Sequence, residues 1–134
     1  MAATGLLVHL NPDCPSNVLI ERFHSILNEH SHYLPFGAYI DGRLTGFAGA
    51  WIATKIWCGR YLEVDNIVVH PDYRSAGVGG ALVKHLETLA RERACNLVVL
   101  DSYTSNHASH RFYHRHGFEI WGFHFVKQIG NLSE

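Results

Sequence analysis

The alternation of apolar and polar residues divides the chain into short blocks of changing period. "GLLVHL" (Gly5 to Leu10) predicts a short first strand, and "NPDCPS" follows with turn chemistry that can cap a helix at Ser16. Val18, Leu19, Phe23, Ile26 and Leu27 then recur at helical spacing through about Asn28, as one core-facing stripe. "FGAYIDGRLTGFAGAWIA" predicts a hairpin, because Asp41-Gly42 sits between β-prone runs and such a pair readily takes the positive φ angles of a tight turn. Its second arm extends to about Trp57. Gly59 is a break, and "RYLEVDNIVVHP" reads as a further strand ended by Pro71. From Gly77 the period becomes helical: Val78, Ala81, Leu82, Leu86, Leu89 and Ala90 share one face, and Lys84, Glu87 and Arg91 another, as far as about Ala94. "NLVVLDSY" has the continuous apolar character of a buried strand. "SNHASHRFYHRHGF" predicts a short helix capped by Asn106 or Ser105 and stopped at Gly117, and "FHFVKQI" a last strand. This order predicts the α/β class, a mixed sheet with helices on its faces.

Composition narrows the picture. The 134 residues, 47% of them hydrophobic, suit one domain spanning 1–134 with one core. A net charge of −1 supplies no field that would draw the protein onto a polyanion, which argues against a nucleic-acid partner. Cys14, Cys58 and Cys95 are odd in number and form no CxxC pair, so buried free thiols in a reducing compartment are expected. No apolar run approaches the ~20 residues of a membrane span, and the N-terminus lacks a signal-peptide pattern. The chain therefore reads as cytoplasmic, with no membrane partner. Among eleven histidines, His107, His110 and His114 would share a helical face, but a metal site also needs suitable geometry and usually acidic or thiolate company. No metal is assigned to them.

The chemistry concentrates in "YRSAGVGGALVKHLE" (Tyr73 to Glu87), where glycines cluster between an apolar strand and an amphipathic helix. The first N–H groups of a helix lack internal partners and face the positive end of its dipole, so such a turn suits an anion. Glycine also removes the Cβ that would hold a phosphate away. A P-loop would require Lys then Ser or Thr after the last glycine, where Gly80 and Ala81 follow Gly79. A dinucleotide fingerprint would require a third glycine where Leu82 stands, although Asp101 lies at a suitable distance downstream. A turn that merely allows close helix-to-sheet packing is the plain structural alternative.

The pattern Arg74-x-x-Gly77-x-Gly79 resembles the pyrophosphate signature of the GNAT superfamily of N-acetyltransferases. "IVVHPDYRSAGVGGALV" is similar to that family's cofactor motif. "SNHASHRFYHRHGF" is similar to its second motif, with Asn106, Tyr113 and Gly117-Phe118 in register. The resemblance implies the acyl-CoA N-acyltransferase fold, a mostly antiparallel central sheet flanked by helices, with acetyl-CoA as cosubstrate. It implies that the main chain of Arg74, Ser75, Ala76, Gly77, Val78, Gly79 and Gly80 binds pyrophosphate. The backbone of Ile67, Val68 and Val69 would pair with the pantetheine arm as with an added strand, beside a family bulge that the sequence does not mark, and Asn106 would contact the cofactor.

Acetyl transfer requires an acceptor for the amine proton, polarisation of the thioester carbonyl and a proton for the departing thiolate. Glu63 and Asp65, two apart on one strand, share a face if that strand is regular, and neighbouring carboxylates raise each other's pKa and attract a cationic amine. By resemblance Glu63 aligns with the general base of some histone acetyltransferases and acts through water. Asp101 stands where certain protein N-terminal acetyltransferases carry a glutamate, so the order of preference is Glu63, then Asp65 and Asp101. Tyr113, seven residues after Asn106, matches the family tyrosine that protonates the thiolate, and a main-chain N–H near Val69 would polarise the carbonyl.

"SHRFYHRHGFEIWGFHFVKQI" resembles the ends of small-molecule members such as aminoalkylphosphonate N-acetyltransferases, which favours a small amine attacking directly in a ternary complex. A protein or peptide acceptor is the alternative, and a non-catalytic acyl-CoA sensor is another. Trp51, Trp57, Tyr61 and Tyr33 either line an acceptor pocket or pack across strands. Between the first strand and the hairpin there is room for about one helix and a loop, where many family members have two helices. The terminal strand either finishes the sheet or pairs across a homodimer, which is the reading preferred here.

Overall fold

A computed structural model describes residues 4–132. The expected first strand is instead a helix, α1 (Thr4–Leu10), followed by α2 (Ser16–Glu29), so two helices precede the sheet rather than one helix and a loop. A six-residue apolar run has no decisive period, and tertiary contact settles it: Leu6 and Leu7 are buried against Phe23 of α2 and against Phe47 and Val68 of the sheet. Ser16 is the first helical residue rather than the cap, because the carbonyl of Pro15 already accepts from the N–H groups of Val18 and Leu19.

The hairpin forms where its turn chemistry predicts. Asp41 and Gly42 have φ of 50° and 78°, the left-handed pair that a tight two-residue turn needs, and they join β1 (Tyr33–Ile40) to β2 (Arg43–Lys55). β3 (Gly59–Val69) runs antiparallel to β2 along its length. The chain then crosses over through one turn of 3-10 helix (Pro71–Tyr73) and α3 (Val78–Glu92) to β4 (Leu97–Leu100), parallel to β3, and ends its regular structure in α4 (His107–Arg115). The sheet order is β1-β2-β3-β4, so the expected mixed sheet is present. β4 is shorter than expected and half-buried, as suits an edge strand.

β3 changes parity partway along. Gly49 pairs with Asn66 and Ala50 with Val64, which leaves Asp65 as an extra residue in a β-bulge. Before the bulge Leu62 and Val64 face the core with Leu82, Leu86 and Leu89 of α3; after it, Ile67 and Val69 take that face. Val68 thereby turns to the α1/α2 side.

"FHFVKQI" forms no ladder, contrary to expectation. Phe123 is 82% exposed, Phe125 92% and Ile129 90%. A strand needs a partner edge, and this segment pairs with none among the described residues. Its contacts are instead point-like: His124 lies 3.6 Å from Asp101, and just beyond the segment the Leu132 carbonyl accepts from the guanidinium of Arg22. The three cysteines are free but half-buried rather than buried. No described helix is long and apolar enough to cross a membrane.

α3 approaches β2 closely because Gly46 lacks a side chain: a Cβ there would lie 2.6 Å from Cγ1 of Val78. Gly46→Ala is expected to destabilise the fold by about 1–3 kcal/mol through overpacking, read by urea unfolding. The double variant with Val78→Ala should be no less stable than Val78→Ala alone; an additive loss would show that the contact is not the cause.

Candidate active site

The α3 terminus shows what each glycine does. Gly77 is the N-cap with φ 77°, and a Cβ on it would meet nothing within 4 Å, so its role is the left-handed turn itself. Gly79 and Gly80 admit α4: a Cβ would come 3.2 Å from the Phe112 ring at the first and 3.3 Å from the His116 imidazole at the second. No side chain caps the helix. The carbonyl of Gly77 first accepts from Ala81, so the preceding amides, Val78 to Gly80, have no partner within the helix. Arg74, Ser75 and Ala76 are exposed beside them, and the Arg43 guanidinium lies 5.8 Å from the Tyr73 ring centroid. Unpartnered amides beside the Arg74 guanidinium, at a turn where Gly77 carries no side chain, fit a pyrophosphate.

The strand leading to this turn has one open edge. β3 pairs with β4 only from Tyr61 to Val64, opposite Leu97 to Leu100, whereas its pairing with β2 continues to Val69. From Asp65 to Val69 the main chain on the β4 side therefore has no strand partner, and Ile67, Val68 and Val69 lie along that edge. Such an edge fits an amide-bearing chain.

The proposed proton-transfer residues gather around this gap. Glu63 stands opposite Trp51 of β2, and Asp65, the bulge residue, accepts a hydrogen bond from the Trp51 indole at 2.9 Å, so both carboxylates lie beside Trp51 although the strand is not regular there. Burial raises the Glu63 pKa above the usual carboxylate range, the charges of Asp101 and Asp65 add to this, and Lys55 and His124 oppose it. Asp101 is exposed near His124. On the α3 side, Tyr113 lines an apolar cleft with Val64, Ile67, Leu86, Leu100 and Phe118, and burial raises its phenol pKa.

Asn106 serves α4 first: it is the N-cap, its side-chain oxygen accepts from the Ser109 N–H, and its amide nitrogen takes no part in that cap. The expected aromatic quartet divides. Tyr33 and Trp51 pack at 4.8 Å near the bulge, while Trp57 is exposed and Tyr61 takes the Lys55 ammonium at 4.9 Å. Among the described residues no three His, Cys, Asp or Glu side chains are placed to hold a metal ion. Sequence reasoning missed the link from Tyr33 to Asn66, a hydrogen bond of 3.1 Å passing over Gly49. The one available signal was a glycine inside a strand, which marks a close approach.

Comparison with known proteins identifies the family and the fold. The chain is 33% identical over 94 residues to the streptothricin acetyltransferase of Streptomyces lavendulae, covering 70% of this chain and 48% of that one. A ribosomal-protein-alanine N-acetyltransferase from Brucella melitensis biovar Abortus 2308 superposes with a TM-score of 0.77 at 25% identity, over 95% of this chain and 91% of the other. An aminoglycoside N-acetyltransferase solved in complex with CoA shares the fold, with a TM-score of 0.81 at 24% identity, over 96% of this chain and 86% of that one. The chain spans 48% to 62% of the length of the first curated relatives it matches. The sequence pattern of the acetyltransferase (GNAT) family matches residues 5–118, and the chain belongs to that family.

Proposed function

We propose that the protein transfers an acetyl group from acetyl-CoA to a small primary amine, by direct attack of the amine on the thioester with both substrates bound. One observation carries the reading: pairing of β3 with β4 stops at Val64 and Leu100, and the gap beyond has Glu63 near it on one face of the sheet and Tyr113 on the other. The amides of Val78 to Gly80, with Arg74, hold the pyrophosphate. The open edge at Ile67 to Val69 takes the pantetheine amides, and an N–H near Val69 polarises the carbonyl. Asn106 has donors to spare for the same arm.

The amine arrives as an ammonium ion, since alkylamines have pKa values near ~10. Glu63, Asp65 and Asp101 attract it. Glu63 accepts its proton through water, and a carboxylate whose pKa is raised holds that proton better than an ordinary one. The free amine forms the new C–N bond as the C–S bond breaks, the thiolate takes the phenolic proton of Tyr113, which burial keeps on the oxygen until then, and the second proton shed by the new amide nitrogen passes through water to the phenolate.

The reading is tested by titrating the protein with acetyl-CoA and measuring thiol release with aminoalkylphosphonates, aminoglycosides, polyamines and lysine peptides. Amine-dependent release, highest with a small amine, is expected. Preference for lysine peptides would move the acceptor to protein, and binding without release for any amine would make the protein a sensor. Tyr113→Phe should lower kcat by about 100-fold, the scale of one acid–base contribution, with acetyl-CoA affinity unchanged; undiminished turnover would remove Tyr113 from the mechanism.

Glu63 gives a pH test with a definite sign. A raised folded-state pKa means that the folded protein binds this proton more tightly than the unfolded chain, so stability is lost as pH rises through the folded pKa. Glu63→Gln, which cannot ionise, should therefore melt above the wild type at about pH 8 and level with it at about pH 4, while turnover falls. A variant that is less stable at the higher pH would mark Glu63 as a structural ion-pair partner.

A further inference from the structure

An extra residue in the interior of a sheet breaks the ladder and bends the strand, so the bulge at Asp65 needs support. Two donors converge on it from two other strands. Trp51 of β2 donates its indole N–H to Asp65, the extra residue, at 2.9 Å. Tyr33 of β1 donates its hydroxyl to Oδ1 of Asn66, the next residue, at 3.1 Å.

Tyr33 is not a neighbour of β3 and must reach across β2 to make this bond. It passes over Gly49, the ladder partner of Asn66, where a Cβ would lie 1.7 Å from the hydroxyl oxygen and 2.4 Å from Cζ. The Tyr33 ring, 6% exposed, also packs edge-on against Trp51 at 4.8 Å. His30 and His32, from the α2–β1 connection, grip the same indole at 5.4 and 5.0 Å. Burial and then the charge of Asp65 push the Tyr33 pKa far up, so the phenol remains a donor.

We propose that Tyr33 and Trp51 are positioning residues for acetyl transfer: by holding Asn66 and Asp65 they fix the β3 bulge, and with it the gap between β3 and β4. This rests on the transferase reading above. Neither residue touches the reacting atoms. Their effect passes through the bulge, which keeps Glu63 on the Trp51 side before it and offers Ile67 to Val69 along the open edge after it. The pyrophosphate anchor at α3 does not depend on the brace, so loosening the brace lowers turnover more than it weakens cofactor binding.

The test uses Tyr33→Phe, which removes one oxygen and leaves the ring, together with Trp51→Phe and Gly49→Ala. Each single variant should lower kcat about tenfold, the scale of one lost hydrogen bond, with KM for acetyl-CoA rising by a smaller factor because the pyrophosphate anchor is kept. Amide hydrogen exchange should quicken in the segment 64–68 and stay at the wild-type rate in α3. The added methyl of Gly49→Ala displaces the same hydroxyl, so its double variant with Tyr33→Phe should be no slower than Gly49→Ala alone. Wild-type kcat and wild-type exchange in Tyr33→Phe would overturn the proposal, as would a loss of kcat accompanied by faster exchange throughout the sheet. If the wild-type protein acetylates no amine, the transferase reading fails separately, and local or unchanged exchange at the bulge then decides whether the brace exists.

Discussion

β3 serves two neighbours unequally, and the candidate site follows from that constraint. It satisfies β2 along its whole length but β4 for only four residues. Backbone donors and acceptors left over on the β4 side of Asp65 to Val69 must find partners elsewhere, in water or in a ligand. The bulge makes this tolerable by changing which face each residue takes. Apolar Leu62 and Val64 serve the α3 core on one side of it, and Ile67 and Val69 do so on the other. Without the parity change, one half of the strand would turn its apolar side chains away from α3.

The parts of the fold legible in the sequence are those dictated by local chemistry. Asp41-Gly42 specifies a turn through φ alone, and the apolar stripe of α3 puts Val78, Leu82, Leu86 and Leu89 into the core at helical spacing. Asn106 and Gly117 begin and end α4 for equally local reasons, a side-chain cap and a positive φ of 89°. Two apolar runs misled because their state depends on distant partners. "GLLVHL" is helical since Leu6 and Leu7 meet Phe23 and Phe47, and "FHFVKQI" pairs with no strand among the described residues.

The site divides along the same line. The glycine turn and Glu63 are legible by residue type and spacing and Tyr113 through the family resemblance, and the fold sets Glu63 and Tyr113 on either side of the point where β3 and β4 part. That two of the glycines also admit α4 could not be read, because it depends on Phe112 and His116 arriving from another helix. The bulge was equally hidden: nothing in "LEVDNIVV" announces an extra residue. Its supports, Tyr33 and Trp51, are ordinary strand aromatics until the register aligns Gly49 with Asn66.

The bulge also bears on how the sheet finds its pairing. In an uninterrupted strand a slip of two residues preserves the inward and outward pattern, so alternative alignments can compete during folding. In β3 the two halves have opposite phase, so any alignment that omits the extra residue at Asp65 mismatches one of them. The Tyr33–Asn66 bond adds a second condition, because only one alignment places a glycine beneath the crossing phenol. Asp65 thus works like a notch on a key, admitting a single assembly of the sheet.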